Sequence, residues 1–143
     1  MDLKQAENVL YKLLKKEWDF DVESNIKEDW LVFTANLTAK GIDDGIFFKV
    51  GVSDDNAFYI QFVLDKIDFS SYVCKLIYDY NANSNWLHCY VREDDYLVVE
   101  YAIRYISLDV LEDNVSFMLN EFVCEENMNY LKPLAELTIA SEE

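Results

Sequence analysis

Three consecutive segments alternate apolar and polar side chains, and this pattern constrains the fold more than any other feature of the chain. Residues 29–38, 46–52 and 58–64 each place an apolar side chain at every second position. Such alternation predicts β-strands with one buried face. The links at 41–45 and 53–56 are rich in Gly, Asp, Asn and Ser, which favour tight turns. The sequence therefore predicts an antiparallel three-stranded meander.

Helical spacing of apolar residues appears before and after the meander. Apolar side chains recur at intervals of three and four over residues 3–16, 69–80 and 108–122. This spacing predicts helices that bury one stripe each. Asp2 and Ser107 precede two of these segments, and both residue types cap helix N-termini.

The second half of the sequence also contains a hairpin and a last helix. Residues 86–91 and 96–106 alternate on either side of a charged turn, which predicts two paired strands. A short helix is predicted around 129–140, with Pro133 near its first turn.

The predicted element order is α-β-β-β-α-β-β-α-α. Strands joined by short links indicate an antiparallel five-stranded sheet with helices packed on one face, an α+β fold. A length of 143 residues is typical of one domain, so we expect residues 1–143 to form a single unit. No apolar run approaches the roughly 18 residues of a membrane span, and charges at Asp2 and Lys4 break a signal-peptide pattern. We therefore expect a cytoplasmic protein.

Acidic side chains are concentrated toward the C-terminal end of the sequence. The net charge is −16, and residues 93–143 hold most of it because only Arg104 and Lys132 are basic there. A hydrophobic content of 52% is nevertheless enough for a folded core. The acidity argues against nucleic acid or an anionic membrane as partner, since both recruit Lys and Arg. Cationic proteins, or solubility alone, remain as explanations.

The residues that commonly carry catalysis are sparse. His88 is the single histidine and neighbours Cys89 on a predicted strand, where successive side chains point to opposite faces. A Cys/His nucleophilic pair is therefore not expected. Cys74, Cys89 and Cys124 are odd in number and widely spaced, which favours reduced free thiols. Neither a GxSxG nor a GxGxxG motif is present, so we predict no catalytic residue, no cofactor and no enzyme activity.

Clusters of carboxylates also require an explanation. Acidic pairs or triplets occur at 43–44, 54–55 and 93–95. None follows the spaced calcium-loop pattern that ends in a bidentate Glu. All three fall in predicted turns, where Asp is favoured for its backbone hydrogen bonds. We predict no metal site.

The element order, the length and the acidity together resemble the type III secretion chaperone-like fold, and within it the YbjN family. The resemblance is carried by the opening helix 3–14, the meander to residue 64, the helix 69–80, the hairpin 86–106 and the helix 108–122. It implies a non-enzymatic protein, often dimeric, that binds a segment of another polypeptide, or a regulatory role. Secretion chaperones of this type tend to dimerise through the central helix and the adjoining strands. Here its outer side is predicted to be polar, with Ser70, Ser71, Cys74, Lys75 and Asp79.

The sheet face turned away from the helices is predicted to be aromatic rather than polar. Tyr and Trp are enriched where proteins meet, so this face is the candidate contact surface for a polypeptide partner or for a homodimer. Two alternatives remain open: the C-terminal helix or an inserted loop covers part of the face, or these residues are ordinary strand formers. A different function is also open, an acidic inhibitor or immunity-type protein that binds a cationic partner. The predicted partner-binding residues are Trp30, Phe47, Tyr59, Trp86, Tyr90 and Tyr96.

Overall fold

The computed structural model describes residues 1–39 and 41–138, so the end of the predicted helix 129–140 lies outside it. Within the described residues the chain forms four α-helices and one antiparallel sheet of six strands, which confirms the α+β class. The helices are α1 (Leu3–Tyr11), α2 (Ser71–Asn83), α3 (Leu108–Val123) and α4 (Glu125–Ala135). The strands are β1 (Glu23–Lys27), β2 (Trp30–Ala39), β3 (Ile42–Ser53), β4 (Phe58–Lys66), β5 (His88–Val91) and β6 (Tyr96–Ile103). None of the helices described is long and apolar enough to cross a bilayer.

The strands are arranged in the order β1-β2-β3-β4-β6-β5. The prediction of five strands is wrong because β1 lacks the pattern on which strand prediction depends: four of its five residues are exposed, so it has no buried alternating face. Strand β3 begins at Ile42, which pairs with Ala39, so most of the predicted turn 41–45 belongs to the strand. Strand β5 begins at His88 rather than at residue 86, and β6 ends at Ile103 rather than at residue 106.

The helix ends agree in part with the capping predictions. Asp2 caps α1, accepting hydrogen bonds from the backbone N–H groups of Lys4 and Gln5. A π-helical turn, Lys12–Glu17, then continues α1. Ser107 occupies the cap position of α3 without a side-chain hydrogen bond.

The last helix differs from its prediction at both ends. Helix α4 follows α3 after the single residue Cys124, four residues before its predicted start. Pro133 therefore lies near its C-terminal end rather than in its first turn.

The core lies between the helices and one face of the sheet. Phe62 of β4 stacks on Phe122 of α3 with ring centroids 3.8 Å apart and planes 2° from parallel. Phe20, in the segment after α1, contacts Phe48 of β3 edge-on at 5.1 Å. The buried alternating side chains of β2, β3, β4 and β6 belong to this same cluster. The helices accordingly pack on one face, as the alternation predicts.

Helix α2 is the least buried of the four. Only Val73 and Tyr80 are buried along it, and Tyr80 donates a hydrogen bond to the side-chain oxygen of Asn127 at the start of α4. Tyr72 and Tyr78 are exposed, so the outer side of this helix is more aromatic than predicted.

Candidate functional site on the outer face of the sheet

We call the sheet face turned away from the helices the outer face. Alternation in the strands turns Trp30, Phe47, Tyr59, Tyr90 and Tyr96 toward it, together with the apolar neighbours Val32, Val63 and Val98. Among the described residues, no helix has its buried side packed on this face. Helix α4 therefore does not cover the outer face, and the alternative that the C-terminal helix covers it is not supported within the described residues.

A line of polar side chains crosses the outer face from one edge of the sheet to the other. Pairing between neighbouring strands aligns one residue from each strand, and these form what we call the polar row. Within it the Gln61 amide donates to the Glu100 carboxylate at 2.9 Å. The polar row consists of Glu23, Thr34, Lys49, Gln61, Glu100 and His88.

On one side of the polar row lies a cluster built around Trp30. The rings of Trp30 and Tyr59 are in contact, with centroids 5.6 Å apart. The Tyr59 ring lies directly over Gly51, where an added Cβ would be 2.2 Å from the ring carbon Cε1. Because Gly51 has no side chain, the Tyr59 ring can lie directly against its backbone. This close approach fixes the position of the Trp30–Tyr59 pair.

On the other side of the polar row lies a cluster built around Phe47. Phe47, Val63, Val98 and Tyr90 pair in turn across four strands. Val98 is 0% exposed and Val63 6%, although neither belongs to the core beneath the helices. The side chains of the outer face therefore pack over one another and form a small apolar layer of their own.

Tyr96 lies on the same face, two residues before Val98 in β6, and two cations lie close to its ring. The Lys66 Nζ lies 5.7 Å from the ring centroid and the Arg92 guanidinium carbon 5.4 Å from it, both within cation–π range. Arg92 is held in turn by Asp94 through two hydrogen bonds of 2.9 and 2.7 Å. That pairing lowers the pKa of the Asp94 carboxyl and raises the pKa of Arg92.

Burial and one carboxylate determine how the phenols of this face ionise. Desolvation, followed by hydrogen bonding to Glu100 and its negative charge, raises the pKa of Tyr90 to about 12. Desolvation and the same carboxylate raise the pKa of Tyr59. Both phenols remain protonated donors at neutral pH, so the face offers hydroxyl groups as well as rings.

Trp86 is the one predicted contact residue that the structure places elsewhere. The Ser84 hydroxyl accepts a hydrogen bond from the Leu87 N–H, and this turn delays the start of β5. The Trp86 ring instead meets Phe117 of α3 edge-on at 5.8 Å. Trp86 and Phe117 are about half exposed, and they form a separate aromatic patch on the helix layer.

The residues considered for chemistry do not form a constellation with one another. His88 lies on the outer face and stacks on Tyr90 at 5.9 Å. Cys89 points into the core, where desolvation raises its pKa to about 12, so it is a protonated thiol at neutral pH. No group of three or more His, Cys, Asp or Glu side chains suited to a metal ion occurs in residues 1–39 and 41–138.

Several features of the site escape sequence reasoning. The polar row depends on the pairing of β4 with β6, which are separated along the chain by α2 and β5. Tyr72 of α2 is spaced in the sequence like part of a buried stripe, yet it is exposed in the structure. Comparisons with family models, curated proteins and solved structures give no match for this chain.

Proposed function

We propose that this protein is a small non-enzymatic module that binds a polypeptide partner, or a second copy of itself, through the outer face of its sheet, in a chaperone-like or regulatory role. One observation carries the proposal: this face has aromatic clusters and no covering helix among the described residues. An antiparallel sheet that only faces water is expected to have polar side chains at such positions. Tyr and Trp that are partly exposed on a rigid sheet are typical of binding surfaces.

The arrangement suits a chain that lies across the strands. The Trp30 and Phe47 clusters provide two apolar areas, and the polar row between them provides donors and acceptors at Lys49, Gln61 and Glu100. A bound peptide would place apolar side chains on the clusters and its backbone groups over the polar row. Because the Trp30–Tyr59 pair and the Tyr96 ring are already held by contacts within the face, little of their side-chain entropy is lost on binding.

The proposal is tested by selecting ligands without assuming a partner. Peptides selected from a random phage-displayed library on the folded protein are synthesised, and their binding is mapped by NMR amide shifts. We expect the shifts to fall on residues around Trp30, Phe47 and Tyr96. Selected peptides that shift only residues of the helices, or no selection above background, would count against an outer-face site.

Matched variants then separate the two layers of the protein. Phe47→Ser removes an exposed ring from the outer face, and Tyr78→Ser removes an exposed ring from α2. We expect Phe47→Ser to weaken peptide binding about tenfold, the scale of losing one aromatic contact, whereas Tyr78→Ser leaves it unchanged. Urea unfolding of both variants checks that each remains folded.

A second candidate function is an acidic inhibitor or immunity-type protein for a cationic partner. The observation that favours it is the Trp86–Phe117 patch, because Phe117 lies one helical turn from Asp113 and one turn from Glu121 on α3. An aromatic centre with carboxylates on both sides fits an apolar residue flanked by Lys or Arg. Binding of this kind depends steeply on salt, so an affinity that is equal at low and physiological ionic strength would exclude it.

A further inference from the structure

The two edges of the sheet are treated differently. At the β5 edge the Asn81 side chain bonds both backbone groups of Cys89, at 2.7 and 3.0 Å, and so occupies the place of a further strand. At the opposite edge, among the strands of residues 1–39 and 41–138, β1 pairs with β2 alone. Glu23, Asn25 and Lys27 are exposed there. An open edge of this kind is a template for another strand.

The direction of the β1 backbone groups follows from the hairpin that joins β1 to β2. Its loop has two residues, so Lys27 and Trp30 form the hydrogen-bonded pair that closes it. Such pairs alternate along an antiparallel ladder, and residues 23, 25 and 27 therefore bond β2. Ser24 and Ile26 direct their N–H and C=O groups outward, to the open edge.

The hairpin that joins β3 to β4 shows independently that residues 23, 25 and 27 are the ones that bond β2. The Ser53 N–H donates to the Ala57 carbonyl, which directs the odd-numbered residues of β3 toward β4 and the even-numbered ones toward β2. Val52 therefore bonds Leu31, so the even-numbered residues of β2 bond β1. These pair with residues 23, 25 and 27.

A second copy of the chain meets this edge in one favourable register. When the β1 strands of two copies pair antiparallel about a twofold axis, the outward N–H and C=O groups of the two strands face each other only if the axis passes through Ser24, Asn25 or Ile26. Only the axis at Asn25 places Glu23 of each copy opposite Lys27 of the other. In that register Ser24 and Ile26 of one copy exchange backbone hydrogen bonds with Ile26 and Ser24 of the other. The charged pairs fall at non-hydrogen-bonded positions, where facing side chains are closest.

We propose that β1 is a homodimer contact, in which the β1 strands of two copies pair antiparallel about Asn25 and join two sheets into one. Charges on an edge strand normally prevent such pairing, but here the twofold register makes them complementary. The contact is isologous, as closed dimers require. With only five residues in the strand the interface is small, so we expect a dissociation constant on the order of 100 μM. This inference does not rest on the proposed function of the outer face.

Charge variants test the register against the effect of bulk charge. Glu23→Lys makes the net charge less negative, so general repulsion alone predicts tighter dimerisation, whereas the register predicts about tenfold weaker dimerisation. Lys27→Glu should weaken the dimer as well. The double variant E23K/K27E keeps the net charge at −16 and restores opposite charges across the axis, so it should dimerise within about threefold of the original chain. Sedimentation equilibrium over a concentration series measures all four proteins.

A backbone variant tests the outward hydrogen bonds. Ser24→Pro removes an outward N–H, a substitution that edge strands tolerate, and should abolish the dimer. Ser24→Ala is its control, because it loses only the hydroxyl contact to Glu7 and retains the N–H. Phe47→Ser, on the outer face, should leave this dimer unchanged.

The inference is overturned by a chain that stays monomeric at millimolar concentration. It is equally overturned by a dimer that tightens in Glu23→Lys, that is not recovered in E23K/K27E, or that is lost in Phe47→Ser instead.

Discussion

The Asn81 side chain hydrogen-bonds the β5 edge of the sheet. The hydrogen bonds lost on its removal give an estimate of the decrease in the free energy of unfolding. Its Oδ1 accepts from the Cys89 N–H at 2.7 Å, and its Nδ2 donates to the Cys89 carbonyl at 3.0 Å. Cys89 is 0% exposed. Asn81→Ala therefore leaves one donor and one acceptor without partners next to the core.

The size of the effect follows from the cost of unsatisfied backbone groups. Each costs about 1–3 kcal/mol when buried, and water that enters the vacated space recovers part of this. We expect Asn81→Ala to lower the free energy of unfolding by about 2–4 kcal/mol. With a slope of about 2 kcal/mol per molar urea, the unfolding midpoint falls by about 1–2 M.

The assay is urea unfolding followed by circular dichroism, with a control from the same helix. Asn83 also donates its amide to a backbone carbonyl, that of Asp79 at 2.8 Å, but Asn83 is exposed. Asn83→Ala should cost no more than about 0.5 kcal/mol. If Asn81→Ala proves no more costly than Asn83→Ala, the interpretation of Asn81 as a substitute strand is wrong.

Other perturbations probe the outer face and the thiols. Gly51→Ala brings a Cβ to 2.2 Å from the Tyr59 ring and should cost about 1–3 kcal/mol in urea unfolding; an unchanged midpoint would contradict the close approach. Tyr90, with its pKa raised to about 12, should ionise later than a free phenol in ultraviolet titration compared with Tyr90→Phe. Its stabilising contribution is complete below about pH 10 and is lost as the pH rises toward 12. Buried Cys89 should react with thiol reagents only on unfolding, whereas exposed Cys74 reacts in the folded protein; equal rates would refute this.

The sequence predicts strands well where one face is buried and the other is not. Residues 29–38 and 58–64 correspond closely to β2 and β4, because burial alternates along β2 and along β4 from Phe58 to Phe62. Strand β1 is not predicted because only Ile26 is partly buried in it. Trp86 is assigned wrongly to β5 because nothing local distinguishes a strand residue from one in the Ser84 turn that precedes the strand.

From the sequence, the candidate site is predictable only to the extent that alternation along a strand decides which sheet face each residue occupies. Alternation alone turns Trp30, Phe47 and Tyr59 to the same face. The contact of Gln61 with Glu100 requires the register of two strands that are distant in sequence, which no local pattern contains. The separation of the aromatics into two clusters by the polar row is therefore a property of the folded sheet.

Salt dependence separates the two functions proposed for the two layers of this protein. Charges of both signs accompany the aromatics of the outer face, with Lys49 and Glu100 in the polar row and Arg92 at Tyr96. On the helix layer, by contrast, carboxylates of α3 flank Phe117. A peptide on the outer face is therefore held mainly by desolvation of the rings and should bind with nearly constant affinity from low to physiological salt. A cationic ligand on the helix layer should weaken steeply over the same range. A ligand whose binding is lost in Phe47→Ser and also weakens steeply with salt would contradict this separation. Such a result would place the electrostatic attraction on the outer face, where the charges are balanced.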